Sequence, residues 1–205
     1  MMKKRDLAFV SVFILLILIC LYFDNSLVKS VFYLRNNLFD NFFMFLTFVS
    51  SEIILFFILT SLFLWTENKR RWIFPLWACL VGSAIVSFIL KIMIQRARPF
   101  QLGLVPLISK LQSSSYAIWN FSFPSFQSMF IFSAVPILSY QFPKLKKLWI
   151  ILAILVAFSR VYFGIHFFSD VIAGGLIGYL IGRVILETEK DKKIGQKLYR
   201  KIFRK

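Results

Sequence analysis

Residues 73–99 read IFPLWACLVGSAIVSFILKIMIQRARP: an apolar run from Ile73 to Ile94 that carries Lys91 near its end and passes into Arg96, Arg98 and Pro99. A helix that crosses a bilayer needs about 20 mostly apolar residues, rising ~1.5 Å each. This stretch meets that length and predicts a transmembrane helix. Lys91 and Arg98 are seven residues apart, two helical turns, so one face is expected to carry both, with Pro99 ending the helix. Cations inside or beside a bilayer are costly and mark a pathway or a site.

The same reading extends outward along the chain. Spans are expected at Leu7–Phe23, Phe42–Trp65, Phe126–Phe142, Leu148–Phe168 and Val171–Leu186, the last being short and borrowing Asp170 and the residues before it. In Val28–Asp40, the residues Val28, Val31, Phe32, Leu38 and Phe39 fall on one helical face, and Lys29, Asn36, Asn37 and Asp40 on the other. That pattern predicts a short interfacial helix over 28–40, with Arg35 snorkelling from its apolar face. The expected fold is all-α, a polytopic membrane protein with six transmembrane helices plus that interfacial helix, in one membrane domain over 1–205.

Composition supports this and excludes rivals. Of 205 residues, 59% are hydrophobic and 26 are Phe, too apolar for a soluble domain that must cover its core. A net charge of +16 could suggest a nucleic-acid binder, but a mean hydropathy of +0.76 argues for no nucleic-acid partner. No small-residue cleavage site follows Phe23, where the chain continues Asp24-Asn25-Ser26-Leu27, so the first span is read as a retained helix. Cys20 and Cys79 lie in apolar runs and read as packing residues. With His166 as the single histidine and no metal-ligand motif, the expected chemistry uses no metal and no cofactor.

Lys and Arg set the orientation. With the N-terminus inside, the cytoplasmic segments hold 18 of the 25 Lys and Arg, including Lys3–Arg5, Lys69–Arg71, Lys144–Lys147 and the chain from Arg183 onward. Both termini are expected in the cytoplasm, with 187–205 as a basic tail that anchors topology against anionic lipid. The long segment Phe100–Phe123, with Ser113-Ser114-Ser115, is then an outer loop where a lid or a substrate-recognition loop would sit. Arg160, late in the fifth span, approaches the same surface, followed by His166 and by Asp170 four residues later, one turn away if helical. Lysine and arginine converging near a lone histidine suggest recognition of an anion, most simply phosphate.

These residues resemble the type 2 phosphatidic acid phosphatase family of membrane lipid phosphatases. Lys91-Ile-Met-Ile-Gln-Arg96-Ala-Arg98-Pro99 is similar to its first motif, Lys-x6-Arg-Pro. Ser159-Arg160-Val-Tyr-Phe-Gly-Ile-His166-Phe-Phe-Ser-Asp170 matches its third, Ser-Arg-x5-His-x3-Asp, and Val171-Ile172-Ala173-Gly174 fits the usual continuation. The second, Pro-Ser-Gly-His, is met in part by Pro124-Ser125-Phe126-Gln127. The resemblance runs from about Phe42 to Leu186. It implies that His166 is the nucleophile, forming a phosphohistidine, and that Asp170 fixes its tautomer. Lys91, Arg98 and Arg160 would hold the phosphoryl oxygens, joined by the Ser125 hydroxyl and backbone N–H groups at the start of the fourth span.

Gln127 stands where the family has a histidine taken to protonate the leaving group, and an amide cannot supply that proton. An alkoxide leaving group, with an alcohol pKa not far from water's ~15.7, needs it. A phosphate monoester leaving from a diphosphate, with a pKa around 6, does not. The expected substrate is therefore a phosphorylated membrane lipid, with an isoprenyl diphosphate favoured over a lipid sugar-1-phosphate such as lipid A or a phospholipid phosphate. Hydrolysis is expected at the outer leaflet of the plasma (inner) membrane. Glu52 reads either as an ion-pair partner of Lys91 or as a substitute acid raised in pKa by burial. Two further functions stay open: phosphoryl transfer to a second lipid, and non-catalytic lipid binding.

Overall fold

The computed structural model describes residues 4–106 and 121–203. Among them no strand forms, and the chain is helical almost throughout. In order the helices are α1 (Lys4–Phe32), α2 (Asn37–Val49), α3 (Glu52–Trp65), α4 (Ile73–Ile94), α5 (Phe126–Gln141), α6 (Lys146–Tyr162), α7 (Phe168–Lys192) and α8 (Ile194–Phe203). Short 3-10 turns at Glu67–Trp72 and Pro143–Leu145 lead into α4 and α6. Three helical stretches, Val10–Phe32, Glu67–Ile94 and Phe168–Lys192, are long and apolar enough to cross a membrane, or up to four if α2 and α3 count as one broken span. The remaining helices of the bundle, α5 and α6, have 16 and 17 residues, roughly 24–26 Å at 1.5 Å per residue.

Several boundaries depart from the sequence expectation. Residues 28–40 do not form one interfacial helix: 28–32 are the last turns of α1, 33–36 make a turn, and Asn36 caps α2 by accepting a bond from the Phe39 N–H. Arg35 does not snorkel. It donates to the carbonyl of Tyr162 from Nε and Nη2 (3.0 and 2.9 Å), satisfying an oxygen at the end of α6 that lacks an in-helix donor.

The expected span Phe42–Trp65 is broken at Ser50-Ser51 and bends by 65°. Ser51 leaves the helical region (φ −58, ψ 146), as serine readily does. Glu52 therefore lies in the first turn of α3 rather than inside a helix, where a carboxylate complements the exposed N–H groups.

α4 keeps the expected bounds Ile73–Ile94, but the helix does not continue to Pro99, so Lys91 and Arg98 do not share one helical face. Gln95 is left-handed at φ 49, and the residue before a proline is poorly suited to a helix. The expected span Leu148–Phe168 ends early as well. Gly164 turns the chain at φ +68, where a Cβ would also strike the Val105 side chain. Most of the expected outer loop, residues 107–120 with Ser113–Ser115, lies outside the described residues.

α5 is the hub. Ten of its residues, from Ser128 to Leu138, are buried. It packs along α7, where Gly174, Gly178 and Gly182 recur every four residues on one face. A Cβ at Gly174 would lie 2.6 Å from the Ser125 carbonyl oxygen, and those at Gly178 and Gly182 would lie closer still to Met129 O and Ser133 O. Backbone meets backbone here, the close approach that small residues permit between helices in lipid. The hydroxyls of Ser83, Ser133 and Ser159 bond to carbonyls three residues back in their own helices, so they cost the apolar packing little.

Helix direction sorts the chain into two ends. The end of α4, the start of α5, the end of α6 and the start of α7 meet at one end, where the Ser122 N–H bonds to Arg96 O and the Ser125 N–H to Asp170 O. At the other end Lys69 donates to Gln141 O, Lys190 lies 4.8 Å from the Tyr140 ring centroid, and Gly195 packs on Pro75.

Candidate active site

His166 sits in the turn between α6 and α7, immediately before the cap residue Phe167, and is 5% exposed. Asp170 is the third residue of α7 and fully buried. Its Oδ2 accepts the Phe167 N–H (2.8 Å) and lies 3.7 Å from His166 Nδ1. That separation is longer than a hydrogen bond. The Ser122 hydroxyl fills the gap, donating to Asp170 Oδ2 and lying 3.5 Å from His166 Nδ1. Nδ1 therefore faces an acceptor group, and Nε2 faces outward from it toward Arg98, whose Nη1 is 3.4 Å away. The same Arg98 nitrogen donates to Ile165 O at 2.9 Å, which fixes the guanidinium beside the ring. Burial, with the Arg98 charge next, pushes the imidazole down to about 3; Lys91 adds to this and Asp170 opposes it. The ring is neutral at pH 7, so it keeps a lone pair.

Arg96 is the structural keystone, although in the sequence it is only a spacer within a motif. Its Nη1 donates to Asp170 Oδ1 and to Ser169 Oγ, both at 2.7 Å, and its Nη2 to Asp24 Oδ2 at 2.8 Å. Asp24, on α1 and 2% exposed, also accepts the Ser169 N–H (3.1 Å) and hydroxyl. One guanidinium thus bridges two buried carboxylates and offsets part of their charge, and the charge on Asp170 is held in place before any substrate arrives. The Arg96 guanidinium also lies over the Phe167 ring at 4.0 Å.

Lys91 is 2% exposed and donates to Phe121 O at 2.5 Å. Its expected ion pair with Glu52 is not among those the described residues form, because Glu52 stands at the head of α3. Arg160, also 2% exposed, donates to Gln127 Oε1, to Thr47 Oγ1 (2.6 Å) and to Ser159 Oγ (3.1 Å). Gln127 is therefore tied to a cation through its carbonyl oxygen. Ser125 is fully buried at the position before α5, and its hydroxyl accepts from the Ser128 hydroxyl at 3.0 Å. So Arg98 touches the imidazole, Lys91 lies within its electrostatic reach, and Arg160 stands over the start of α5 beside Gln127.

Asp24, Ser122, Thr47 and Arg96 went unrecognised as site residues in the sequence. Asp24 carried one signal, a carboxylate at the end of an apolar run, where an intramembrane acid implies a partner.

The chain is similar to known proteins. Residues 72–194 match the model of the PAP2 superfamily. The chain is 34% identical over 125 residues to phosphatidylglycerophosphatase B of Bacillus subtilis, which covers 55% of this chain and 56% of that protein. It is 30% identical over 143 residues to an undecaprenyl-diphosphatase of Sulfolobus acidocaldarius, covering 68% and 67% respectively. The chain thus spans from just over half to two thirds of these relatives' lengths. The crystal structure of a transmembrane PAP2-type phosphatidylglycerolphosphate phosphatase from Bacillus subtilis superposes with a TM-score of 0.69 at 23% identity, over 90% of this chain and 97% of that one. That of Aquifex aeolicus LpxE superposes with a TM-score of 0.65 at 27% identity, over 79% and 93%. The matched segment begins at Trp72 and holds Lys91, Arg98, Arg160, His166 and Asp170, and by that match this membrane protein belongs to the PAP2 superfamily.

Proposed function

We propose that the chain is a membrane lipid phosphatase that cleaves a phosphorylated lipid through a phosphohistidine at His166, with an isoprenyl diphosphate as the favoured substrate. One observation carries this: a buried imidazole presents Nε2 to Arg98 while Nδ1 faces Ser122 and Asp170. The reaction then has two steps. Nε2 attacks phosphorus and the bond to the leaving oxygen breaks; Nδ1–H draws toward Asp170, which offsets the charge gained by the ring. Water next attacks the phosphorus, releasing inorganic phosphate and restoring neutral His166. Arg98, Lys91 and Arg160, with the Ser125 hydroxyl and the N–H groups at the head of α5, offset charge on the phosphoryl oxygens.

The held Gln127 supports the substrate choice. Its carbonyl oxygen is occupied by Arg160, and an amide delivers no proton, which suits a leaving group that needs none. The relative named as an undecaprenyl-diphosphatase points the same way. A groove of about 780 Å³ adds support: it is lined from Phe168 and Val171, beside the site, to Tyr140, Lys146 and Arg183, and is apolar in between, as a lipid tail requires. Six crossings are also proposed, with α2 and α3 forming one bent span, because α4, α5, α6 and α7 alternate between the two ends. The basic clusters gather at the end away from His166, so the site is proposed to face outward and both termini the cytoplasm.

Phosphate release from a lipid diphosphate and from the matching lipid monophosphate, by purified chain with His166→Ala as control, tests this reading. Faster turnover of the diphosphate is expected. Equal or faster turnover of the monophosphate removes the substrate assignment, and full activity in His166→Ala removes the mechanism.

A further inference from the structure

α8 has three distinct faces. Gly195 and Gln196 are buried, with Gly195 set against Pro75 of α4, and Tyr199 is half-buried beside them. Ile194, Leu198 and Ile202 lie four apart along a second face and are 42–56% exposed. Lys197, Arg200 and Lys201 form a third, exposed face, with Lys197 and Lys201 flanking the apolar row at 100° per residue. The helix is held in this pose from inside the bundle. Lys193 reverses the chain in the left-handed region at φ 53, and the buried Glu189 carboxylate accepts the Gly195 and Gln196 N–H groups at 2.8 and 3.0 Å. A carboxylate spent wholly on capping a ten-residue helix fixes which face looks outward.

Beside α8 lies a second groove, of about 430 Å³. Its walls are Thr60 and Leu64 of α3, Phe74 and Trp77 of α4, and Tyr199 and Ile202 of α8, with Arg70 among the lining residues. Arg70 is partly exposed and pairs with the exposed Glu67 at 3.6 Å. Glu67 is the one acid of a segment that also carries Lys69 and Arg71, so the surroundings stay strongly cationic. Asp170 and Glu189 lie 19 residues apart on α7, about 28 Å along a helix, so this groove is at the end opposite His166.

We propose that α8 and this groove form a binding site for an anionic phospholipid of the adjoining leaflet, separate from the candidate active site. One acyl chain lies in the groove against Trp77 and Ile202, and the phosphate is met by Arg70, Lys197 and Lys201. An apolar row flanked by cations is the surface that an anionic headgroup layer complements, and a protein partner would have to match the same narrow face while avoiding lipid.

Trp77 supplies the readout. Full-length chain in mixed micelles is titrated with phosphatidylglycerol or phosphatidylcholine brominated on the acyl chain, and tryptophan emission is followed. Trp77→Phe identifies the part of the quenching that arises in the groove. That part is expected to saturate at lower mole fraction with the anionic lipid. The double variant Lys197→Gln/Lys201→Gln reduces the preference roughly 30-fold, at about 1 kcal/mol per cation near a lipid surface, whereas Lys197→Arg/Lys201→Arg retains it. Phosphate release in detergent, which involves neither lysine, stays unchanged and shows that the variants fold. Trp77-dependent quenching that is indifferent to lipid charge overturns the assignment and leaves the face to a protein partner. Its absence overturns the groove, and displacement by soluble glycerol phosphate alone overturns the need for a chain.

Discussion

At the scale of single residues, charge placed in advance decides what His166 can do. Its depressed pKa makes the fold bind fewer protons than the unfolded chain between about 3 and the ordinary value near 6.5. Stability therefore rises with pH across that window and falls as pH drops through it. The apparent melting temperature of the solubilised protein is expected to fall more between pH 7.5 and 5 in the wild type than in His166→Asn, which cannot titrate; equal falls contradict the burial argument. Arg96 gives a second prediction. Arg96→Met leaves Asp24 and Asp170 buried without their cation, and breaking such a pair costs about 3–5 kcal/mol. Thermal stability and kcat both fall, KM for the lipid moves little, and Asp24→Asn in the same chain recovers part of the loss. Lys91, Arg98, His166 and Asp170 were legible because motif spacing is local. Asp24 and Arg96 were not, because their contact joins residues 72 apart and Ser169 reaches Asp24 across 145.

At the scale of elements, apolar length announced the helices but not where they break. Ser50-Ser51 and Gly164 interrupt runs that hydropathy alone reads as continuous. Both breaks lie beside the site: Thr47, in the last turn of α2 before the first, meets Arg160, and the second drops His166 out of helix so that it faces Arg98. The α5–α7 contact depends on Gly178, where any Cβ collides with the Met129 backbone. Gly178→Ala is expected to cost about 1–3 kcal/mol and Gly178→Leu to prevent assembly, read as lost thermal stability and aggregation in detergent. A Gly178→Leu chain that stays monodisperse with wild-type stability contradicts the backbone contact.

At the scale of the whole molecule, helix direction gathers the cations of the proposed phosphate site at one end and the basic clusters at the other. By the positive-inside rule this supports the proposed sidedness, the same rule that the loop count applied in the sequence. A membrane-impermeant maleimide applied to intact cells is expected to label Leu102→Cys and to spare Lys144→Cys until the membrane is opened; the reverse pattern inverts the proposed topology. What joins these scales is the proposed transfer of phosphate to one imidazole nitrogen. The most direct measurement is rapid acid-free quenching of the purified chain during turnover of a lipid diphosphate carrying a radiolabelled terminal phosphate. Label bound to the peptide that contains His166, absent in His166→Ala and cleared as inorganic phosphate is released, is the predicted result. Turnover that proceeds in His166→Ala, or label that settles on another residue, would contradict it.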